Sequence, residues 1–246
     1  MKRIMMEIAY DGTNYCGWQI QPNGITIESE LNRCLSKLLQ EEIHVIGASR
    51  TDSGVHALCN IAVFDTMSRI PGEKMCQALN QRLPEDIRIQ RSMEVANDFH
   101  PRFCDSIKTY QYQIWNAKIP LPTLRLYSHF TYLPLDVSLM QQACPYLIGK
   151  HDFKSFCSQH SQAKTTVRTI TDLHLEKQGN LITITISGTG FLYNMVRIIV
   201  GTLMKVGQGI YPPEYVKEIL ESADRRKAGP VAPPNGLMLL SYQFLN

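Results

Sequence analysis

Two apolar segments flank a loop of turn-forming residues in the stretch Ile43–Asp65, IHVIGASRTDSGVHALCNIAVFD. The flanking segments Ile43–Ala48 and Cys59–Asp65 have the length and the β-branched content of strands. Between them, serine and glycine predict a tight turn that holds Asp52 clear of both strands. The stretch therefore predicts two strands joined by a loop that presents one carboxylate.

Arg50 and His56 flank Asp52 in this loop. Cationic neighbours keep a carboxylate ionised, and the same groups can position a polyanionic ligand. The loop is therefore a candidate active site. An aspartate that only forms hydrogen bonds within its own turn would give the same pattern.

Composition restricts the class of protein. The chain has 246 residues, 44% of them hydrophobic, and a net charge of +3, which allows one large or two modest domains and a nucleic-acid partner. The seven cysteines are scattered, without metal-ligand spacing, so we expect free thiols, a cytoplasmic location and no metal. Phosphate-binding glycine loops are absent from the sequence, and no nucleotide cofactor is expected. The most apolar segment, Phe191–Val206, contains Arg197 and Lys205, so we expect a core helix and no membrane span.

Hydrophobic periodicity predicts an α+β fold, with helices packed on a mixed, mainly antiparallel sheet. The predicted strands are 3–10, 43–48, 59–65, 87–95, 105–115, 167–177, 180–187 and 237–245. The predicted helices are 27–39 with Thr26 as N-cap, 73–83, 138–147 with a break near Pro145, 191–206 and 213–223. A strand, a Gly-Thr loop and a helix occur in each half, which favours two similar subdomains flanking a central cleft, 1–104 and 105–246.

Arg197 lies in the middle of the predicted apolar helix. A buried guanidinium needs an anionic partner, so Arg197 is a candidate to hold Asp52 ionised and oriented. The alternative is a narrow polar stripe of Asn194, Arg197, Gly201 and Lys205 that faces solvent.

Tyr110 lies centrally on the predicted strand 105–115, and Lys108 shares its face. An aromatic ring that stacks on a base beside a cation that contacts a phosphate is a common way to bind unpaired nucleotides. A core tyrosine is the alternative. Arg102, between Phe99 and Phe103, and Arg168 are further candidates for phosphate contacts.

The order of several motifs resembles that of the tRNA pseudouridine synthase A family over nearly the whole chain. The motifs are YDGTNY at 10–15 with GWQ at 17–19, RTDSGVHA at 50–57, FHPRF at 99–103, KTYQY at 108–112, HDF at 151–153, FLYNMVR at 191–197 and APPNGL at 232–237. Ser53 departs from the usual alanine, and Gln111 and Gln113 stand where basic residues are common.

The resemblance implies the pseudouridine synthase fold and isomerisation of uridine to pseudouridine at positions 38 to 40 of tRNA, in the anticodon arm, without a cofactor. It implies that Asp52 is the nucleophile, that Arg197 pairs with Asp52, and that Tyr110 packs on the flipped uracil. It also implies that Arg50 helps to capture the target nucleotide and that the chain forms a homodimer. Attack on the sugar and addition to the pyrimidine ring are both open to a carboxylate.

Two other classes of function compete with this interpretation. Asp52-Ser53-Gly54 resembles an aspartic-protease signature, but that chemistry needs two such aspartates, and the sequence has no second Asp-Ser/Thr-Gly. An RNA-binding protein without turnover would not need Asp52, Tyr110 and Arg197 in combination.

Overall fold

The structure is a computed structural model that describes residues 1–159 and 163–245. Numbered in chain order, its strands are β1 Lys2–Tyr10, β2 Ile46–Gly47, β3 His56–Thr66, β4 Ile87–Val95, β5 Ser106–Asn116, β6 His129–Thr131, β7 Gly149–Asp152, β8 Val167–Gln178, β9 Leu181–Gly188 and β10 Leu237–Phe244. Its α-helices are α1 Ile27–Leu39, α2 Gly72–Asn80, α3 Val137–Ala143, α4 Met195–Gly207 and α5 Tyr215–Ser222.

The chain divides into two compact units. The first unit is Met1–Asp105 together with the C-terminal segment from Leu239, and the second is Ser106–Met238. The last strand is therefore grouped mainly with the first unit, whereas the sequence places it in the second domain.

In the first unit the strand order is β4-β1-β3-β10, and β2 pairs with β3. Strand β1 is antiparallel to both β3 and β4. Helix α1 starts where predicted, because Thr26 forms a capping box: its side chain accepts from the Ser29 amide, and the Ser29 hydroxyl accepts from the Thr26 amide.

In the second unit the strand order is β5-β9-β8-β7, with antiparallel pairing, and β6 runs parallel to β5. Helix α3 ends at Ala143 and continues as a 3-10 helix, Cys144–Leu147, which confirms the predicted break near Pro145. The two units together confirm the α+β class with a mainly antiparallel sheet and helices.

Several elements differ from the prediction. Strand β3 begins at His56 rather than Cys59, β6 lies outside every predicted strand, and α2 ends at Asn80 rather than Leu83. Strand β2 is limited to Ile46–Gly47, so the predicted strand 43–48 is too long. Helix α4 begins at Met195 rather than Phe191, because Asn194 has a positive φ of 60°, which interrupts helical geometry. Strand β7 lacks apolar periodicity in its sequence, GKHD, and was not predicted.

Within residues 1–159 and 163–245, no helix is long and apolar enough to cross a membrane. In the same residues, no group of three His, Cys, Asp or Glu side chains is placed to hold a metal ion.

Candidate active site

Asp52 opens a tight turn before β3. The Val55 amide donates to the Asp52 carbonyl oxygen at 3.1 Å, and Gly54 has a φ of 76° at the third position of the turn. A type II turn requires this conformation there, which explains the glycine. The Asp52 side chain is half-buried, while Ser53 at the turn's tip is exposed.

The loop that follows β1 supports this turn through backbone contacts. The Trp18 amide donates to the Thr51 carbonyl at 3.0 Å, and the Gly54 amide donates to the Tyr15 carbonyl at 3.3 Å. A Cβ on Gly17 would lie 2.7 Å from the Thr51 carbonyl oxygen, so only glycine allows this approach. The position of Asp52 therefore depends on backbone packing between two loops.

A buried polar network fixes the residue before Asp52. The Tyr10 and Thr51 hydroxyl groups are 2.8 Å apart, and the Asn60 amide group donates to the Tyr10 hydroxyl at 3.3 Å. Burial raises the pKa of Tyr10, so its hydroxyl keeps its proton. This network anchors the loop to β1 and β3.

His56, predicted to contact substrate, is 2% exposed at the start of β3. Its Nδ1 accepts from the Gly12 amide at 3.1 Å and also lies 3.1 Å from Asp11 Oδ1. This burial and bonding favour a positioning role in the loop, and the substrate contact stays a prediction.

Arg50 and Arg102 are both exposed and belong to the first unit. The Arg102 Nε donates to the Gly47 carbonyl at 2.7 Å, which ties it to β2 just before the Asp52 loop. Partial desolvation, and next the charge of Arg50, lower the pKa of Arg102. The two guanidinium groups therefore form a local positive region on this unit.

Tyr110 lies on β5 in the second unit and is 8% exposed. The Tyr110 and Phe191 rings pack edge to face. Their centroids are 5.1 Å apart and their planes meet at 84°. Tyr112, two residues along the same face, is fully buried and donates to the Pro233 carbonyl at 2.8 Å. Tyr112 is thus a core residue, whereas Tyr110 retains some exposure.

Arg197 is half-buried, and hydrogen bonds hold its side chain in one direction. Its Nε donates to the Ala232 carbonyl at 2.7 Å, and its Nη1 donates to Asn194 Oδ1 at 2.9 Å. The Ala232 amide donates in return to the Arg197 carbonyl at 3.1 Å. Asn194 also donates to the Ser158 hydroxyl, so the guanidinium is part of a fixed polar network.

The alternative of a solvent-facing stripe on α4 is wrong. Gly201 is buried, and a Cβ there would collide with the Pro230 carbonyl oxygen. The Gly229 amide donates to the Thr202 hydroxyl at 2.9 Å. The segment that runs from Gly229 to Ala232 therefore covers this face of the helix.

A basic cavity opens beside Tyr110 in the second unit. It is lined by Lys108, Lys150, Val167, Arg168, Thr169, Thr189, Gly190 and Phe191. Two of these residues, Lys108 and Arg168, were predicted from the sequence to bind substrate. Lys150 was missed because β7 was not predicted, and Phe191 because it was assigned to the helix. The Gly-Thr loop before Phe191 was predicted, but in the structure it extends past Phe191 to the start of α4 at Met195.

The predicted site residues therefore form two groups. Asp52, Arg50, His56 and Arg102 belong to the first unit, and Lys108, Tyr110, Arg168 and Arg197 belong to the second. The pairing of Arg197 with Asp52 stays a prediction.

The sequence matches a known protein family over most of its length. The family described as tRNA pseudouridine synthase matches residues 6–104 and 143–244. The chain is 52% identical to "tRNA pseudouridine synthase A 2" of Clostridium perfringens over 239 residues, 97% of this chain and 98% of the relative. It is 47% identical to "tRNA pseudouridine synthase A" of Thermoanaerobacter sp. over 244 residues, 99% of this chain and 100% of the relative. The chain therefore belongs to the tRNA pseudouridine synthase family.

Among solved structures, the chain is similar to one in "Crystal structure of the archaeal box H/ACA sRNP Nop10-Cbf5 complex". The identity is 10% and the TM-score is 0.36, over 92% of this chain and 59% of that chain.

Proposed function

We propose that this chain isomerises uridine to pseudouridine in tRNA, at positions 38 to 40 of the anticodon stem-loop. Membership of the family and the names of its relatives support the reaction. The observation that carries the proposal for this chain is Asp52, a half-buried carboxylate presented by a turn that backbone contacts hold in place.

The reaction breaks the bond between N1 of uracil and C1′ of the ribose, and forms a bond between C5 and C1′. The hydrogen on C5 leaves as a proton, and N1 gains one, so atoms and electrons balance without a cofactor. Asp52 forms a covalent bond either with C1′ of the sugar or with the pyrimidine ring, and either bond is broken again before release. The freed base must stay in a pocket and rotate, which requires extrusion of the uridine from the RNA stack.

Each remaining residue has a role in the proposal. Arg197 pairs with Asp52, and its hydrogen bonds to Ala232 and Asn194 favour a single orientation for that purpose. Tyr110 packs on the flipped uracil, supported from behind by Phe191. Arg50 captures the target nucleotide, and the predicted contacts of His56, Arg102, Lys108 and Arg168 with the RNA are part of the same proposal.

The proposal includes a homodimer, as the family resemblance implies, and a cytoplasmic location, as the scattered cysteines indicate. Analytical ultracentrifugation of the purified chain, with and without tRNA, tests the dimer: a sedimentation coefficient typical of a 28.0 kDa monomer at micromolar concentration would contradict it.

The test of the reaction is an unmodified tRNA transcript incubated with the purified chain, followed by carbodiimide labelling and mass-spectrometric mapping of pseudouridine. We expect pseudouridine at positions 38 to 40. Asp52→Asn should lower the single-turnover rate by at least about 10³-fold with tRNA binding intact, because it removes the nucleophile and keeps its shape. Asp105→Asn, which changes an exposed aspartate, is the matched control and should react at the normal rate.

Two outcomes contradict the proposal. Asp52→Asn with normal activity would exclude the nucleophile assignment. A wild-type chain that binds tRNA and forms no pseudouridine would favour an RNA-binding role without turnover.

A further inference from the structure

We propose that the basic cavity beside Tyr110 binds one backbone phosphate of the RNA, next to the target uridine, and that Lys150 is a phosphate-contacting residue of this site. The inference rests on the proposed function for the identity of the RNA. It adds to that proposal a binding site and a residue that the sequence motifs do not include.

The first support is the composition of the cavity. Three cationic side chains, Lys108, Lys150 and Arg168, line it together with the threonines Thr169 and Thr189. Cationic side chains that line one cavity attract an anion. A phosphate matches this lining, because lysine, arginine and threonine side chains all donate hydrogen bonds to its oxygens.

The second support is the strand register, which places these residues in two adjacent rows at one end of the strands: Gly188 is opposite Ile170, and Ile170 is opposite Gly149, the residue before Lys150. Lys108 on β5 is opposite Gly188 on β9, and Lys150 on β7 is opposite Thr169 on β8. The Thr189 amide donates to the Thr169 carbonyl at 3.1 Å, which extends the row of Lys150 from β8 to the residue after β9. Strand pairing therefore places the two lysines in neighbouring rows, next to the β8 irregularity between Ile170 and Asp172.

Arg168 is held in place at the cavity by its own strand. Its Nη1 donates to the Thr165 carbonyl at 2.9 Å and to the Val167 carbonyl at 2.6 Å. A half-buried guanidinium fixed on two carbonyl oxygens loses little conformational freedom when an anion binds. Arg168 therefore provides the rigid part of the site, and the exposed Lys150 provides the adaptable part.

The position of the cavity favours RNA over a free anion. Phe191 lines the cavity and also contacts the Tyr110 ring, so the site lies one side chain away from the proposed base-stacking residue. A uridine on Tyr110 brings its neighbouring phosphates with it. The combination of stacking ring and adjacent cations is the one that proteins use for unpaired nucleotides.

The test uses Lys150→Gln, with Lys177→Gln as the matched control, since Lys177 is an exposed lysine of the same unit outside the cavity. Both substitutions are made in the full-length Asp52→Asn chain, so that binding is measured without turnover. The Kd for the unmodified tRNA transcript is measured between 50 and 200 mM KCl. We expect Lys150→Gln to weaken binding by about 5- to 10-fold at low salt and to reduce the slope of log Kd against log salt by about 0.7 to 0.9, the value of one phosphate contact. Lys177→Gln should leave both quantities unchanged.

An unchanged slope in Lys150→Gln would overturn the inference. Competition by inorganic phosphate at constant ionic strength, combined with an unchanged slope, would overturn it in favour of a small-anion site. The outcome is separable from that of the proposed function. If the wild-type chain forms no pseudouridine and Lys150→Gln still reduces the slope, the phosphate site is supported and the proposed reaction is wrong. If the wild-type chain forms pseudouridine and Lys150→Gln leaves the slope unchanged, the reaction is supported and the phosphate site is wrong.

Discussion

The loops that follow β1 and β9 are comparable parts of the two units. Each strand lies between two antiparallel neighbours, β3 and β4 for β1, and β5 and β8 for β9. Each leads through a Gly-Thr pair to a helix of 13 residues, α1 or α4. In each Gly-Thr pair a Cβ on the glycine would collide with a carbonyl oxygen of a neighbouring segment: that of Val55 for Gly12, and that of Thr169 for Gly188, the last residue of β9.

The two helices begin differently. The capping box of Thr26 and Ser29 provides hydrogen-bond acceptors for backbone amides at the start of α1. At the start of α4, Asn194 makes no side-chain capping bond; it has a positive φ and accepts from Arg197 instead. A non-glycine residue in this conformation costs about 1 kcal/mol or more, which the surrounding structure must offset. The first unit therefore positions its carboxylate through backbone packing, whereas the second positions its arginine through the side chain of a residue with a strained backbone.

The largest expected effect comes from breaking the backbone contact in the first unit. In Gly12→Ala, the added methyl group collides with the Val55 carbonyl, which belongs to the Asp52 turn. We expect the free energy of unfolding to fall by about 1 to 3 kcal/mol and the pseudouridine-forming rate to fall by more than about 10²-fold, because a small displacement of a reacting group is costly. Chemical denaturation and single-turnover kinetics measure the two effects.

Gly179→Ala is the control for this prediction. Unlike Gly12, Gly179 has a positive φ, 59°, at the turn between β8 and β9, and a Cβ there has open space. We expect a stability loss of about 1 kcal/mol from the backbone conformation and an unchanged rate. If Gly12→Ala and Gly179→Ala lose the same fraction of the rate, Gly12 does not position the Asp52 turn.

The second effect tests the strained residue of the second unit. Asn194→Gly keeps the positive φ but removes the acceptor of Arg197 Nη1. Glycine relieves the backbone strain at this position, but the hydrogen bonds of the Asn194 side chain to Arg197 and Ser158 are lost. Because the two effects oppose each other, we expect little change in Tm. The rate should fall about 10-fold, the effect of one hydrogen bond to a charged group.

Ala223→Gly, which relieves a positive φ at the end of α5, is the control and should raise Tm and leave the rate unchanged. A normal rate in Asn194→Gly would remove Asn194 from the positioning of Arg197.

The same contrast explains what could be predicted from the sequence. Strand β4 and helix α1 were predicted with their observed bounds, because local periodicity and a local cap determine them. The start of α4 was placed too early because the conformation of Asn194 depends on Arg197 and on Ser158, which is distant in the sequence. Strand β7 depends on pairing with β8, and so Lys150 was absent from the predicted site. Residues fixed by local chemistry were found, and residues brought in by tertiary pairing were missed.

The smallest expected effect is a change in stability from one cross-strand pair of side chains in each unit. Arg3 on β1 is directly opposite Asp65 on β3 and binds both of its carboxylate oxygens, at 2.8 and 2.7 Å. At the corresponding pairing in the second unit, the Thr109 and Ser187 hydroxyl groups are opposite each other, 2.8 Å apart. The first pair is ionic and the second is neutral, so only the first should depend on pH.

The hydrogen bond from Arg3 holds the pKa of Asp65 below its ordinary value of 3.8. The unfolded chain therefore binds a proton more readily than the folded one, and the stabilisation is present above about pH 4 and lost as the pH falls through the folded pKa. We expect Asp65→Asn to lower the free energy of unfolding by about 0.5 to 1 kcal/mol at pH 7, since the pair is partly exposed, and the difference from wild type to shrink as the pH is lowered below the ordinary pKa of 3.8. Thr109→Val should change the free energy of unfolding by the same amount at pH 7 and at acidic pH. Denaturant unfolding across this pH range measures the differences, and a constant difference for Asp65→Asn would mean that its charge does not stabilise the β1–β3 pairing.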